Sequence, residues 1–211
     1  MVRISYLPTT VILAVTAYLI GSVLFAVIAS RVFRLPDPRT YGSGNPGTAN
    51  VLRSGNNVAT ALTLVGDALK GWLAVWLAQQ FAPANAMEWE MAIAGALVVI
   101  GHMYPVFHRL RGGKGVAPAL GVLFGFDAYL ALAAISTWIV VAVFFRMSSL
   151  ASIVSALLAP FAAWMIFGFA HPFFVSVVVM ALLLIYRHRQ NIRNILAGTE
   201  RKLKQASRSS A

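Results

Sequence analysis

Three stretches of this 211-residue chain combine residue types suited to holding phosphate. The first runs Gly42-Ser43-Gly44-Asn45-Pro46-Gly47-Thr48-Ala49-Asn50-Val51-Leu52-Arg53. Its glycines let successive backbone N–H groups curl around an anion, and Ser43, Asn45 and their neighbours add donors. Arg53 supplies charge and a planar fork. The second runs from Gly101-His102-Met103-Tyr104-Pro105 to Gly112-Gly113-Lys114-Gly115-Val116. There, Gly-Gly-Lys-Gly opens a helix, so a permissive backbone, an ammonium and a helix N-terminus converge. The Walker A spacing is absent. The third is Arg187-His188-Arg189-Gln190-Asn191, continuing to Gly198-Thr199-Glu200. On a continuous helix His188 and Asn191 share one face at i,i+3. Each stretch alone has a plainer reading: a turn-rich connector, a basic loop and a stop-transfer tail.

The elements that must position these residues are membrane helices. The chain is 59% hydrophobic and only 11% charged, whereas a soluble domain is about one quarter charged. Apolar runs near Val11–Ala29, Val58–Gln79, Met91–Phe107, Val116–Phe126, Ala128–Phe145, Leu150–Phe169 and Phe173–Tyr186 suggest seven spans. As one helix, 116–145 would be about 45 Å long, too long for a hydrocarbon core of about 30 Å. Gly125-Phe126-Asp127 offers a break, so two helices are expected there, the first short. Six spans, with 116–126 re-entrant or the two merged, is the alternative. The expected fold is a single all-α, polytopic membrane domain over residues 1–211. The first span is expected to remain uncleaved.

Charge orients the spans. Of 17 Lys and Arg, all but Arg3 and Lys70 fall in Arg31–Arg53, Arg109–Lys114, Arg146 or the tail from Arg187. The loops Phe81–Glu90, Gly125–Asp127 and Ala170–Pro172 contain none. The positive-inside rule then puts the N-terminus outside and the C-terminus in the cytoplasm. It also accounts for most of the net charge of +11, with anionic lipid as a partner and no nucleic-acid module. Helices starting at Asn56-Asn57, Gly113-Lys114-Gly115 and Ser148-Ser149 would point their positive dipole ends at that face. The three motifs and these ends together predict an anion pocket. Within the spans, Asp67 and Lys70 lie at i,i+3 and read as a helix-locking pair. His102 reads as a structural histidine and His108 as an interfacial one. The five tryptophans read as packing or interface residues.

In these motifs the chain resembles the bacterial acyl-phosphate:glycerol-3-phosphate acyltransferases, the PlsY family. The resemblance spans the whole chain in order: Gly42–Arg53, Gly66–Gly71, Gly101–Val116, Ser148–Ser152 and Arg187–Glu200. Three positions depart from the family pattern: Thr48-Ala49 stands in reversed order, Pro118 replaces a common threonine and Asn194 a common arginine. The resemblance implies a seven-helix enzyme of the bacterial inner membrane with its site on the cytoplasmic face. It would transfer an acyl group from acyl phosphate to the 1-hydroxyl of glycerol 3-phosphate, giving lysophosphatidic acid and phosphate for phospholipid synthesis. No cofactor or metal is implied, and the enzyme that forms acyl phosphate is a candidate partner.

Such a donor is already activated, so orientation, charge neutralisation and water exclusion matter more than a strong base. The sequence agrees: it has no cysteine, no G-x-S-x-G elbow and no H-x-x-x-x-D motif. Lys114, Arg53 and the N–H groups of Gly112, Gly113 and Gly115 are expected to hold the phosphates. Ser43, Gly44, Asn45, Ser149, His188 and Asn191 are expected to complete the pocket, with Lys114, His188 and Asn191 closest to the chemistry. The hydroxyl proton goes either to His188 or to a phosphate oxygen of the substrate. Arginines at 187 and 189 favour the second. A phosphate-ester or anion transporter using the same basic pocket is the main alternative, and no internal repeat supports it. A metal-dependent CDP-alcohol phosphotransferase would need an Asp-rich motif that the chain lacks.

Overall fold

A computed structural model describes residues 7–203, all of whose regular structure is helical. Ten α-helices follow in order: α1 Leu7–Ser22, α2 Phe25–Val32, α3 Thr48–Val51, α4 Asn57–Phe81, α5 Met87–Met103, α6 Val116–Phe126, α7 Ala128–Phe145, α8 Ser148–Phe167, α9 Pro172–Arg187 and α10 Arg189–Leu196. Each of the seven expected apolar segments contains helix, but not always as one straight rod.

The segment expected as one span at 11–29 is split into α1 and α2, bent by 40°. Val23 and Leu24 form the break, and the Lys70 ammonium of α4 binds the Val23 carbonyl at 2.5 Å. Ser22 Oγ donates back to Tyr18 O and accepts the Val106 N–H, so the broken end is fastened on both sides. Helix α5 stops at Met103, short of the expected 107. Pro105 disfavours helix at Tyr104 and brings no N–H of its own. The break inside 116–145 falls at Asp127, whose carboxylate caps α7 by accepting the Leu130 N–H at 2.8 Å. The expected continuation of α9 through Asn191 turns by 57° at His188. The His188 ring occupies the Leu184 carbonyl there (2.8 Å).

By length and composition, α4, the stretch 87–108, α7 and α8 can each cross a membrane, and the two bent pairs raise the number to six. Helix α6, with 11 residues, is about 16 Å long, about half a hydrocarbon core. It is buried by close backbone packing against α4. A Cβ on Gly121 would lie 1.8 Å from Ala68 O, and one on Gly71 2.1 Å from Pro118 O. Small residues at such crossings are how membrane helices approach closely without a hydrophobic driving force. The core between α4, α5, α6 and α9 is filled by Val75, Val98, Val99, Met103, Val122 and Val177. Phe126 and Phe173 stack at 4.3 Å.

Candidate active site

The loop before α6 is built to carry one lysine. Gly113 N–H donates to His102 O (3.0 Å), and the Arg187 guanidinium grips the carbonyls of Gly112 (2.9 Å) and Gly113 (3.0 and 3.2 Å). Arg187 also lies over the Tyr104 ring. Gly115, at φ +86°, turns the chain into α6. Lys114 is thereby projected between a tethered loop and a helix N-terminus, and its Nζ donates to Asn191 Oδ1 at 2.6 Å. Asn191 Nδ2 donates in turn to Glu200 Oε1 (2.8 Å), which also accepts Ser149 Oγ–H (2.6 Å). The tail reaches this point because Leu203 N–H donates to Arg146 O at the end of α7 (2.8 Å).

The 42–53 loop closes the opposite wall. Asn50 is its staple: fully buried, it donates to Pro38 O (2.6 Å) and Tyr41 O (3.1 Å) and accepts the Ser43 N–H (3.0 Å). Arg53 follows in a 3-10 turn, and its buried Nη1 has no hydrogen-bond partner among the described residues. A guanidinium N–H left unpaired within a protein is costly unless an anion receives it. Asp37 pins the preceding turn by accepting the Arg39 N–H and guanidinium, and that contact lowers its pKa.

These walls enclose a cavity of about 540 Å³. Ser43, Asn45, Arg53, Lys114, Gly115, Ser149, His188 and Asn191, all expected from the sequence, line it. Gly44, Gly112 and Gly113 do not line it. The Gly113 N–H is spent on His102, and its carbonyl on Arg187, so this glycine shapes the loop. Residues that sequence reasoning left outside the site also line the cavity: Glu200, Asp67, His102 and Trp138. Glu200 was signalled only by closing the third motif. Asp67 pairs with Lys70 as expected (2.8 Å), yet it also faces the cavity. Away from the charges the walls are apolar, formed by Leu123, Ala134, Ala156, Ala159, Met180 and Ala181.

The electrostatics are those of an anion site. Burial lowers the Lys114 pKa to about 8; Glu200 opposes this, and Arg187 and Arg53 reinforce it. Lys114 is still charged at pH 7. Burial, then the Lys114 charge, pushes His188, at the end of α9, down to about 4. His188 is therefore neutral. With Nδ1 donating to Leu184 O, its Nε2 carries the lone pair. Burial also lowers Arg53, without discharging it.

A helical membrane protein with a mostly apolar cavity that carries cations among its lining residues is suited to joining a phosphorylated, water-soluble molecule to a chain that dissolves in lipid. Comparison with known proteins gives the family. The family model described as "Glycerol-3-phosphate acyltransferase" matches residues 11–198. A glycerol-3-phosphate acyltransferase of Ralstonia nicotianae is 56% identical over 201 residues, covering 94% of this chain and 96% of the relative. One from Nitrosospira multiformis is 52% identical, covering 95% and 100%. Crystal structures of PlsY (YgiH), an integral membrane glycerol 3-phosphate acyltransferase, superpose with TM-scores of 0.85 for the glycerol 3-phosphate form and 0.84 for the lysophosphatidic acid form. Both are 34% identical, covering 92% of this chain and 95% of theirs. The chain belongs to the glycerol-3-phosphate acyltransferase family, and it is a multi-pass membrane enzyme of phospholipid synthesis.

Proposed function

We propose that this enzyme takes its acyl group from acyl phosphate and delivers it to the 1-hydroxyl of glycerol 3-phosphate, at the cytoplasmic face of the bacterial inner membrane. The observation that carries this reading is the convergence of Lys114, Arg53 and Ser149 on one cavity whose lining is otherwise mostly apolar. Both substrates bring phosphate to the cationic end, and the acyl chain alone needs the apolar walls. The PlsY crystal forms with glycerol 3-phosphate and with lysophosphatidic acid support the acceptor and the product. Lys114 and Arg53 neutralise phosphate, the Gly115 turn and the start of α6 add the dipole, and Ser43 and Asn45 donate hydrogen bonds, while Ser149 gives its one hydroxyl hydrogen to Glu200. Gly44 and Gly112 with Gly113 set the two loops in shape. Asn191 and Glu200 hold Lys114 and Ser149 in register.

In the transfer, the glycerol 1-hydroxyl oxygen attacks the acyl carbonyl carbon. An ester C–O bond forms, the C–O bond to the phosphoryl group breaks, and inorganic phosphate leaves. The hydroxyl proton passes to a phosphate oxygen. His188, neutral and weakly basic, accepts the hydroxyl hydrogen bond at Nε2 and orients it. Acyl phosphate from an upstream acyl-phosphate-forming enzyme would enter from the bilayer. Seven crossings, with α6 as a short one, fit an N-terminus outside and a C-terminus inside. The test is product analysis with purified protein and labelled glycerol 3-phosphate, offering acyl phosphate or acyl-CoA. Lysophosphatidic acid and phosphate are expected from acyl phosphate alone; product from acyl-CoA of equal yield would remove the donor assignment.

A further inference from the structure

The proposed chemistry uses one residue of α10, Asn191, and leaves the rest of that helix unexplained. Its eight residues fall into four edges at i,i+4 spacing. Asn191 and Ile195 are half-buried and face the protein. Ile192 and Leu196 form an apolar edge beside them, with Leu196 83% exposed. Arg189 and Arg193 form a basic edge next to that, and neither has a carboxylate partner among the described residues. Gln190 and Asn194 complete the circle, bonded to each other at 3.0 Å. None of the eight is fully buried. A helix of this length is marginal in water by itself, so the protein alone gives little cover to a helix that carries a residue of the site.

The neighbouring helix marks what can cover it. Val175, Val179, Leu182 and Tyr186 form one exposed stripe along α9, the face that a spanning helix turns to lipid. The stripe runs into α10: the Arg189 guanidinium lies over the Tyr186 ring at 4.6 Å and donates to Tyr186 O (3.2 Å). Tyrosine and arginine at the end of a span sit at head-group level. The 57° turn at His188 then carries α10 sideways, along the membrane surface. An apolar edge toward the acyl chains, a basic edge among the head groups and an amide edge to water make an interfacial helix. We propose that α10 docks on the anionic phospholipid surface of the bilayer, and that this docking holds Asn191 against Lys114 (2.6 Å) and Glu200 (2.8 Å), so that turnover depends on anionic lipid. The occupant is a bilayer because the exposed side of α10 sets apolar beside basic side chains and continues a lipid-facing stripe. Lipid phosphates at that depth supply the negative charge that the two arginines lack. The inference rests on Asn191 serving the reaction as proposed above.

The test uses the full chain in lipid nanodiscs of one chain each, open to substrate on both faces, with acyl phosphate and glycerol 3-phosphate. The discs hold phosphatidylcholine alone or with about 30% phosphatidylglycerol. Wild-type kcat is expected to rise about five- to ten-fold with the anionic lipid. Surface charge by itself repels both substrates and raises KM, so a gain in kcat reports the helix. Arg189→Gln/Arg193→Gln is expected to match wild type in neutral discs and to gain less than about two-fold in anionic ones. Arg189→Lys/Arg193→Lys keeps the charges and should keep most of the gain. Leu196→Asp should lose it as the glutamine variant does. Equal wild-type kcat in the two lipids, or a full gain in the glutamine variant, overturns the proposal. A glutamine variant that falls equally in neutral discs marks a merely structural helix and overturns it too. So does a gain in neutral discs from a soluble glycerophosphodiester, or a gain confined to discs carrying two chains, which would put a second copy on this face. Wild-type protein that makes no product from acyl phosphate in either lipid overturns the donor reading instead.

Discussion

At the scale of single residues, Lys114 carries the strongest demand. Its ammonium is held at 2.6 Å by Asn191 and stands at the start of α6. Lys114→Ala is expected to insert and purify normally while losing about 10- to 150-fold in turnover, the equivalent of about 1.5–3 kcal/mol for a charge-assisted contact. Lys114→Arg should restore only part of it, because the tethered glycine loop accommodates a compact ammonium better than a planar fork. Steady-state kinetics of the two variants, with thermal melting as a folding control, checks both. The lowered pKa adds a pH signature. Lys114 is cationic below about 8 and loses its proton above it, so KM for glycerol 3-phosphate is expected to rise as pH climbs through about 8. His188, already neutral above about 4, should contribute no limb near the ordinary histidine value of about 6.5. His188→Gln is then expected to weaken activity without abolishing it. Total loss together with disappearance of a limb near 6.5 would make His188 the general base.

At the scale of elements, the site depends on backbone held by other backbone. The turn at Gly112-Gly113 touches α5 through His102 and α9 through Arg187, so three elements meet at a residue without a side chain. Gly113→Ala would drive a methyl group into the His102 ring. Displacing the loop by about 1 Å is expected to cost about 100-fold in kcat, with the melting temperature of the purified protein changing far less than the rate. A kcat unchanged from wild type would show that the loop is not under this constraint. These contacts also explain what was legible beforehand. Apolar runs and basic loops announced the helices, and Asp127 announced the α6–α7 break, because burial, charge and capping are local properties of sequence. The break at Val23 was not legible, because its cause is Lys70, 47 positions away. Glu200 closes the third motif, and nothing in its local sequence marks it as a pocket residue. Only the docking of Leu203 on Arg146 brings it to Ser149 and Asn191. His102 looked structural, and its second face, toward the cavity, is a product of tertiary placement. Gly113 looked like a phosphate donor, but its N–H had a nearer acceptor within its own chain.

At the scale of the whole molecule, the charge pattern and the folded arrangement address one question, which end of the protein faces the cytoplasm. Lys114, Arg53, Arg187 and the tail residue Arg201 converge on or beside one end of the cavity, and Arg146 anchors the tail there. The other end is built differently. The first turn of α5 and the loop before α9 meet through Glu88 and His171 at 3.3 Å, and neither the loop after α4 nor the loop before α9 contains Lys or Arg. The inner faces of bacterial membranes retain basic loops, so the end holding the cavity should be cytoplasmic. The chain has no native cysteine, which makes the point directly measurable. Single cysteines at the exposed positions Ala84 and Ala197 should react from opposite sides with a membrane-impermeant maleimide. In right-side-out vesicles Ala84→Cys is expected to label at once and Ala197→Cys only after permeabilisation. Inverted vesicles should give the reverse. Labelling of both from one side would mean an even number of crossings between them, and α6 would then be a re-entrant segment rather than a short span.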